Sequence, residues 1–216
     1  VTAQVAFSEI ENVLDIAKDG DGHFYVPEFN FSNMGNLRRG KGYQIKTSEE
    51  TQLVWNVEQR VNAWQITHNL DTKHFPSPQP TSQNMSLLIQ GLSGRGEIGV
   101  FNSEGQCVGA GRFKAKSQLG IAVWGMNEDS GDKFGLEENE PFTLRYYSGN
   151  SEQVLINYDI LKGNNLVYSK DELLVLKVNL EQQVPSEFAL MPTYPNPFNN
   201  MTRINYSLPE SGNIHI

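Results

Sequence analysis

The sequence has almost no cysteine. Cys107 is the only one in 216 residues, so an intrachain disulfide framework and a multi-cysteine zinc site are both excluded. Long apolar runs are also missing: no stretch approaches the roughly 18 consecutive apolar residues of a membrane span. Positive charge is in deficit. Lys and Arg total 17 against 25 Asp and Glu, and the net charge of −8 repels phosphate backbones, which argues against general nucleic-acid binding. Catalytic signatures are absent as well. Ser93 sits in Leu-Ser-Gly-Arg-Gly, which is no nucleophile elbow. Gly35, Gly40 and Gly42 form no dinucleotide fingerprint, and there is no phosphate-binding Gly-x-x-x-x-Gly-Lys run. What the chain does have is apolar surface. With 38% hydrophobic residues, including 11 Phe, 8 Tyr and 3 Trp, it can bury a core, which excludes wholesale disorder.

Val1–Val5 lacks the basic start and apolar run of a signal peptide, so a mature or partial chain is expected. Residues 1–12 read as a short helix, with Val5 and Ile10 on a rough apolar face. From there the pattern is β. Val13–Ala17 and His23–Val26 flank Lys18-Asp19-Gly20-Asp21-Gly22, a hairpin signal because glycine tolerates the positive φ of tight turns. Gly42–Lys46 and Gln52–Val57 read as further strands. These make a small N-terminal β unit with one short helix, residues 1–66.

Residues 67–83 are expected to be a proline-rich linker, since Pro76, Pro78 and Pro80 lack the N–H donor a central strand needs. An antiparallel β-sandwich is expected over 84–182. Its strands are placed at Met85–Ile89, Glu97–Phe101, Cys107–Phe113, Gly120–Trp124, Phe142–Tyr147, Val154–Tyr158 and Leu173–Val178. Residues 183–200, with four prolines, read as an extended linker. Residues 201–216 hold two strand patterns around Pro209-Glu210-Ser211-Gly212, and the last of them, Asn213–Ile216, reads as an element in progress. The fold class read from the sequence is therefore all-β.

Several groups of residues could carry chemistry. Asn127, Asp129 and Asp132 lie in an acidic loop whose oxygens suit Ca²⁺, although a solvated hairpin tip explains the composition equally well. Asp19 and Asp21 have the same two readings, with the turn as the more economical one. His68, Asp71 and His74 offer zinc ligands at an unfamiliar spacing, or simply a polar linker. Tyr146 and Tyr147 are consecutive strand residues, so one of them should face solvent, where its ring could stack on a sugar. Trp55 and Trp124 lie in apolar runs and are expected inside. Cys107 reads as a small core hydrophobe. Glu97 and Glu140 are carboxylates whose role only geometry can assign. No cofactor is expected, apart from the Ca²⁺ reading.

The tail carries a more specific pattern. Tyr194-Pro195-Asn196-Pro197-Phe198-Asn199, followed by Leu208-Pro209-Glu210-Ser211-Gly212, resembles the start of the immunoglobulin-like C-terminal sorting domain of type IX secretion substrates, over residues 189–216. Glu97–Phe101, Gly105–Ala110 and Ile121–Gly125, with Leu14–Asp21 and Gly40–Gln44, resemble β modules of large secreted surface proteins of Bacteroidetes-like bacteria. The resemblance implies a partial Ig-like tail and an extracellular or cell-surface location. It makes the type IX secretion machinery a partner and assigns the sorting motif to Pro195, Asn196, Pro197, Phe198, Asn199, Leu208, Pro209 and Gly212.

The functional expectation is a non-catalytic secreted or surface protein for adhesion or scaffolding. Unpaired tail strands could add to the sheets of other copies or of neighbouring surface proteins and so build filaments. The rival expectation is an accessory carbohydrate-binding module of a secreted hydrolase, with glycans as partners.

Overall fold

Alternation and turn chemistry build the first sheet. In the computed structural model, which describes residues 1–54, 71–115, 117–127, 134–180, 188–190, 192–199, 201–204 and 206–207, the chain opens with helix α1 (Ala3–Ala6) and a 3₁₀ turn at Ser8–Ile10. Strands β1 (Leu14–Asp19), β2 (Phe24–Val26), β3 (Phe31–Ser32) and β4 (Tyr43–Thr47) follow. They form an antiparallel sheet in the order β3-β2-β1-β4. Gly22 closes the β1–β2 turn at φ 85°, the left-handed region glycine supplies without a steric penalty.

A bulge at Asp15, between the pairs Leu14↔Thr47 and Ile16↔Lys46, divides the side chains of β1 between two faces. Leu14 and Ala17 join Tyr25 against Ala3, Phe7 and Ile10 of the helical segment. Ile16 turns the other way, with Phe24, Val26 and Phe31.

The sandwich strands are β5 (Asn84–Leu92), β6 (Arg95–Phe101), β7 (Cys107–Lys114), β8 (Ser117–Trp124), β9 (Thr143–Tyr147), β10 (Glu152–Val154), β11 (Tyr158–Lys162) and β12 (Leu173–Val178). One sheet runs β10-β9-β6-β7 and the other β11-β12-β5-β8. Their inner faces meet through side chains such as Leu87, Ile89, Ile98, Val100, Leu174 and Leu176. The all-β sandwich expected from the sequence is present. One pair departs from antiparallel order: β5 and β12 run parallel, Leu173↔Ser86 through Lys177↔Gln90.

The reason lies in the layering. Leu88 of β5, with Leu173 and Val175 of β12, faces away from the sandwich core and packs on Ile16, Phe24, Val26 and Phe31 of the first sheet. The β5–β12 pair is therefore covered on both sides, the setting in which parallel strands are found and in which apolar runs replace alternation. Strand β8 admits the first sheet through small residues. A Cβ on Gly120 would lie 2.6 Å from the Phe31 ring, and Ala122 and Trp124 back the Gly22 turn.

The edges of the sandwich depart from expectation. Val154–Tyr158, anticipated as one strand, holds the end of β10, the start of β11 and the residues between them. Leu155 is buried there and its N–H donates to Leu144 O. Residues 71–83 of the proline-rich stretch are free of strands but are clamped to the sandwich, and residues 67–70 lie outside the described residues. The anticipated strand Gln52–Val57 is not formed over residues 52–54, and its remainder lies outside the described residues. In the tail, β13 (Ala189–Leu190) pairs with β16 (Tyr206–Ser207), and β14 (Tyr194–Asn199) with β15 (Met201–Arg203). Strands thus occupy part of the stretch read as an extended linker.

The close approach at Gly120 gives a test of the layering. Gly120→Val forces side-chain volume against Phe24 and Phe31 and should cost about 1–3 kcal/mol, measured by denaturant unfolding. An unchanged midpoint would mean that the first sheet does not seat on β8.

Candidate functional site

Lys18 follows Ile16 by two positions, so both side chains point from β1 toward the sandwich. The ammonium group arrives at the start of β5. Its Nζ lies 2.6 Å from Asp171 Oδ1, 3.2 Å from Asn84 O and 3.3 Å from Asn84 Oδ1. The Lys18 side chain is 7% exposed and that of Asp171 is 37% exposed. Burial raises the Asp171 pKa, but the hydrogen bonds from Lys18 and Gln44, with the Lys18 charge, outweigh it and hold the carboxyl below its usual value. Around this group lies a cleft of about 460 Å³, lined in part by Asp19, Tyr43, Gln44, Asn84 and Asp171.

At one end of the cleft is the β1–β2 turn. Asp19 Oδ1 accepts the N–H groups of Asp21 at 3.0 Å and His23 at 2.9 Å, and Oδ2 lies 3.2 Å from His23 Nδ1. The Asp19 bond raises the His23 pKa above 6.5, against the effect of burial. Burial pushes Asp19 upward, but the His23 bonds prevail and its pKa is lowered. One ligand atom each from Asp19, Asp21 and His23 lies within 4.8 Å of the others. A divalent ion could use this donor set only by displacing the Asp19–His23 bond.

A second polar centre anchors the proline-rich stretch. Glu97 is buried in β6, and its oxygens accept the backbone N–H groups of Lys73 (2.8 Å), His74 (2.8 Å) and Phe75 (3.1 Å). Burial raises the Glu97 pKa, yet these three donors and the Arg112 charge keep it below 4.5. The His74 ring stacks on Tyr147 at 3.6 Å between centroids and 8° between planes, and its Nε2 lies 2.9 Å from Glu152. Phe75 is buried against Phe101 and Cys107. Glu140, also buried, accepts from Ser103 N, Ser103 Oγ and Glu137 N.

The residues singled out in the sequence are dispersed. Asn127 contacts Ser82 Oγ at 3.3 Å, while Asp129 and Asp132 lie outside the described residues. His68 also lies outside them, and neither Asp71 nor His74 joins a metal-ligand cluster among the described residues. Tyr146 points into the sandwich core, 9% exposed, which closes its ring to a sugar. Tyr147 is half-buried with one face covered by His74. Trp124 is inside as expected, and Trp55 lies outside the described residues. Cys107 is buried and unpaired, and burial pushes its thiol up to about 11, which makes it inert at neutral pH. Pro195, Asn196, Pro197, Phe198 and Asn199 form β14, while Leu208, Pro209 and Gly212 lie outside the described residues. Lys18, Asn84 and Asp171 escaped the sequence reading. Their one local signal was a lysine on the apolar face of a strand.

Two measurements test these anchors. Asp171→Asn keeps an αL-tolerant residue at φ 64° but strands a buried ammonium, and should cost about 3–5 kcal/mol. Lys18→Met strands only a partly exposed carboxylate and should cost less, about 1–3 kcal/mol. The reverse ranking in denaturant titrations would contradict the assigned burial. For Glu97, the lowered folded pKa means its stabilisation is complete above the ordinary value of 4.5 and drains away as pH falls through the folded value. Glu97→Gln should flatten that acid limb of the stability curve and cost about 1–3 kcal/mol at neutral pH.

Compared with protein-family models, curated proteins and solved structures, the chain matches none of them.

Proposed function

We propose that the chain is a non-catalytic structural module of a secreted or cell-surface protein, and that it assembles with other copies by pairing strand edges. The observation that carries this reading is the use made of its buried charges. Lys18, Glu97 and Glu140 each hold separate chain segments together through several hydrogen bonds, to backbone groups and to side chains of the protein itself. Their bonding capacity goes into architecture, while a general base or nucleophile needs a free position beside substrate.

The edges supply the means of association. Strands β7 and β8 meet at one side of the sandwich, and β10 and β11 are the outer strands of their sheets at the other. Val154 on β10 is 51% exposed and Leu161 on β11 is 45% exposed. An outer strand with exposed apolar residues is a template for a further strand. The secreted location rests on the resemblance of 189–216 to a type IX sorting domain. No described helix is long and apolar enough to cross a membrane.

Light scattering over a concentration series tests the assembly. The native chain should show masses above that of one chain, and Leu161→Lys, at an exposed position, should shift the population toward the monomer without lowering the melting temperature. A strict monomer at every concentration would overturn the assembly reading.

A further inference from the structure

Strand β4 is an outer strand of the first sheet, with β1 on one side only. Ser48 N–H donates to Val13 O beside β1, while Asp19 N–H turns away from β4 to His23 O. Antiparallel ladders alternate, so Gln44, Lys46 and Ser48 present their backbone groups to β1, and Tyr43, Ile45 and Thr47 present theirs outward. Among the described residues, no other stretch of backbone bonds to these outward groups. Ile45 stands at the centre of the strand and is 37% exposed.

The two ends of β4 carry charge of opposite sign. Arg38, Arg39 and Lys41 precede the strand, Glu49 and Glu50 follow it, and all are exposed. Lys41 makes a loose contact with Asp21 at 3.9 Å, and the other four form no ion pair among the described residues. A strand edge with a cationic start and an anionic end is complementary to the same edge turned end for end. Antiparallel pairing about a two-fold axis at Ile45 sets Ile45 against the partner's Ile45 and Tyr43 against the partner's Thr47. It sets Lys41 against the partner's Glu49, with Arg39 beside the partner's Glu50, and symmetry makes each of these charge contacts twice. Every outward backbone group of one strand then faces an outward group of the other. Sliding by two residues, the smallest step that keeps those groups facing, sets Lys41 against the partner's Thr47 or the partner's Thr51 and loses the charge match. Charge at both ends guards β4 against strands of other sequence, and only its own copy answers it in full.

We propose that two copies of the chain form a closed two-fold dimer by antiparallel pairing of β4 with β4. Five-residue strands bury little beside the roughly 1,600 Å² of a standard stable interface, so the dimer is reversible. It uses a different edge from the assembly through β10 and β11, and either contact stands or falls without the other.

The test uses the full chain carrying Leu161→Lys, which closes the β11 edge. In light scattering at low salt its mass should rise with concentration from one chain toward two and stop there. Lys41→Glu and Glu49→Lys should each weaken the dimer by about tenfold or more, because symmetry counts each substitution twice. The two combined should restore it. Within one chain these residues are on the order of 25 Å apart along an extended strand, so the recovery arises between chains. On dimerisation the Tyr43, Ile45 and Thr47 amides should gain protection from hydrogen exchange, and the Gln44 and Lys46 amides, already turned to β1, should not. A monomer at every concentration overturns the proposal. So does an undiminished dimer in Lys41→Glu, a double variant that stays monomeric, or a dimer whose Tyr43, Ile45 and Thr47 amides remain unprotected. If the unsubstituted chain assembles and the Leu161→Lys chain is a strict monomer, the β11 contact stands and the β4 contact fails.

Discussion

Double-sided burial of the parallel pair β5 and β12 is the constraint on which the other features depend. Seven apolar side chains meet across its outer face: Leu88, Leu173 and Val175 from the pair, and Ile16, Phe24, Val26 and Phe31 from the first sheet. At about 1.5–3 kcal/mol for each fully buried side chain, this face is worth on the order of 10–20 kcal/mol gross. That is as large as the net stability of a typical domain, about 5–15 kcal/mol. The two sheets therefore cannot be separated without exposing enough apolar surface to threaten both. Gly120 follows from the same constraint, because β8 can accept the Phe24 and Phe31 rings there only without a side chain of its own.

A fully covered sheet raises the problem of what to do with charge at its rim. Apolar packing is non-directional and would let the first sheet slide along the β5–β12 face. The Lys18 ammonium is directional. It must find both Asn84, where β5 begins, and Asp171, just ahead of β12, and one register satisfies both. Burying a lysine in this way adds little net stability, because desolvation offsets most of the attraction. Its contribution is the alignment of three elements that packing alone leaves loosely placed. Glu97 does the same on the other sheet, fixing three consecutive amides of a proline-rich stretch that cannot anchor itself in a ladder.

The sequence showed these layers unevenly. The β1–β2 turn and most sandwich strands were legible because they rest on local chemistry: Asp-Gly at a turn, alternation along a half-buried strand. The helix read over residues 1–12 is in fact one turn, Ala3–Ala6, followed by a 3₁₀ turn at Ser8–Ile10. The unbroken runs Leu87-Leu88-Ile89 and Leu173-Leu174-Val175-Leu176 also held the information that both faces are covered, but a run without alternation does not say what covers it. Strand β11 was misplaced for the opposite reason. Its centre, Asp159-Ile160-Leu161, faces solvent, whereas Leu155, just outside the strands, is buried. Apolar character marks burial, and at a sheet edge burial and strand no longer coincide. The polar anchors were least legible, since Lys18 is 66 residues from Asn84 and 153 from Asp171.

The same reasoning explains why a function carried by backbone would leave no motif. Strand addition uses N–H and C=O groups that every sequence has, so only the protection of an edge can distinguish one that is open from one that is closed. Natural edges are commonly guarded by lysine. Strand β11 ends in Lys162, but that side chain is drawn back to the first sheet, 2.6 Å from Glu28 and 3.7 Å from Asp15. Its hydrogen bond to Glu28 raises the Lys162 pKa, against burial, so the charge persists but is spent on the neighbouring layer. With its guard engaged elsewhere, β11 leaves Ile160 and Leu161 exposed along its length. The layering that orders the interior thus also determines which edge remains unprotected.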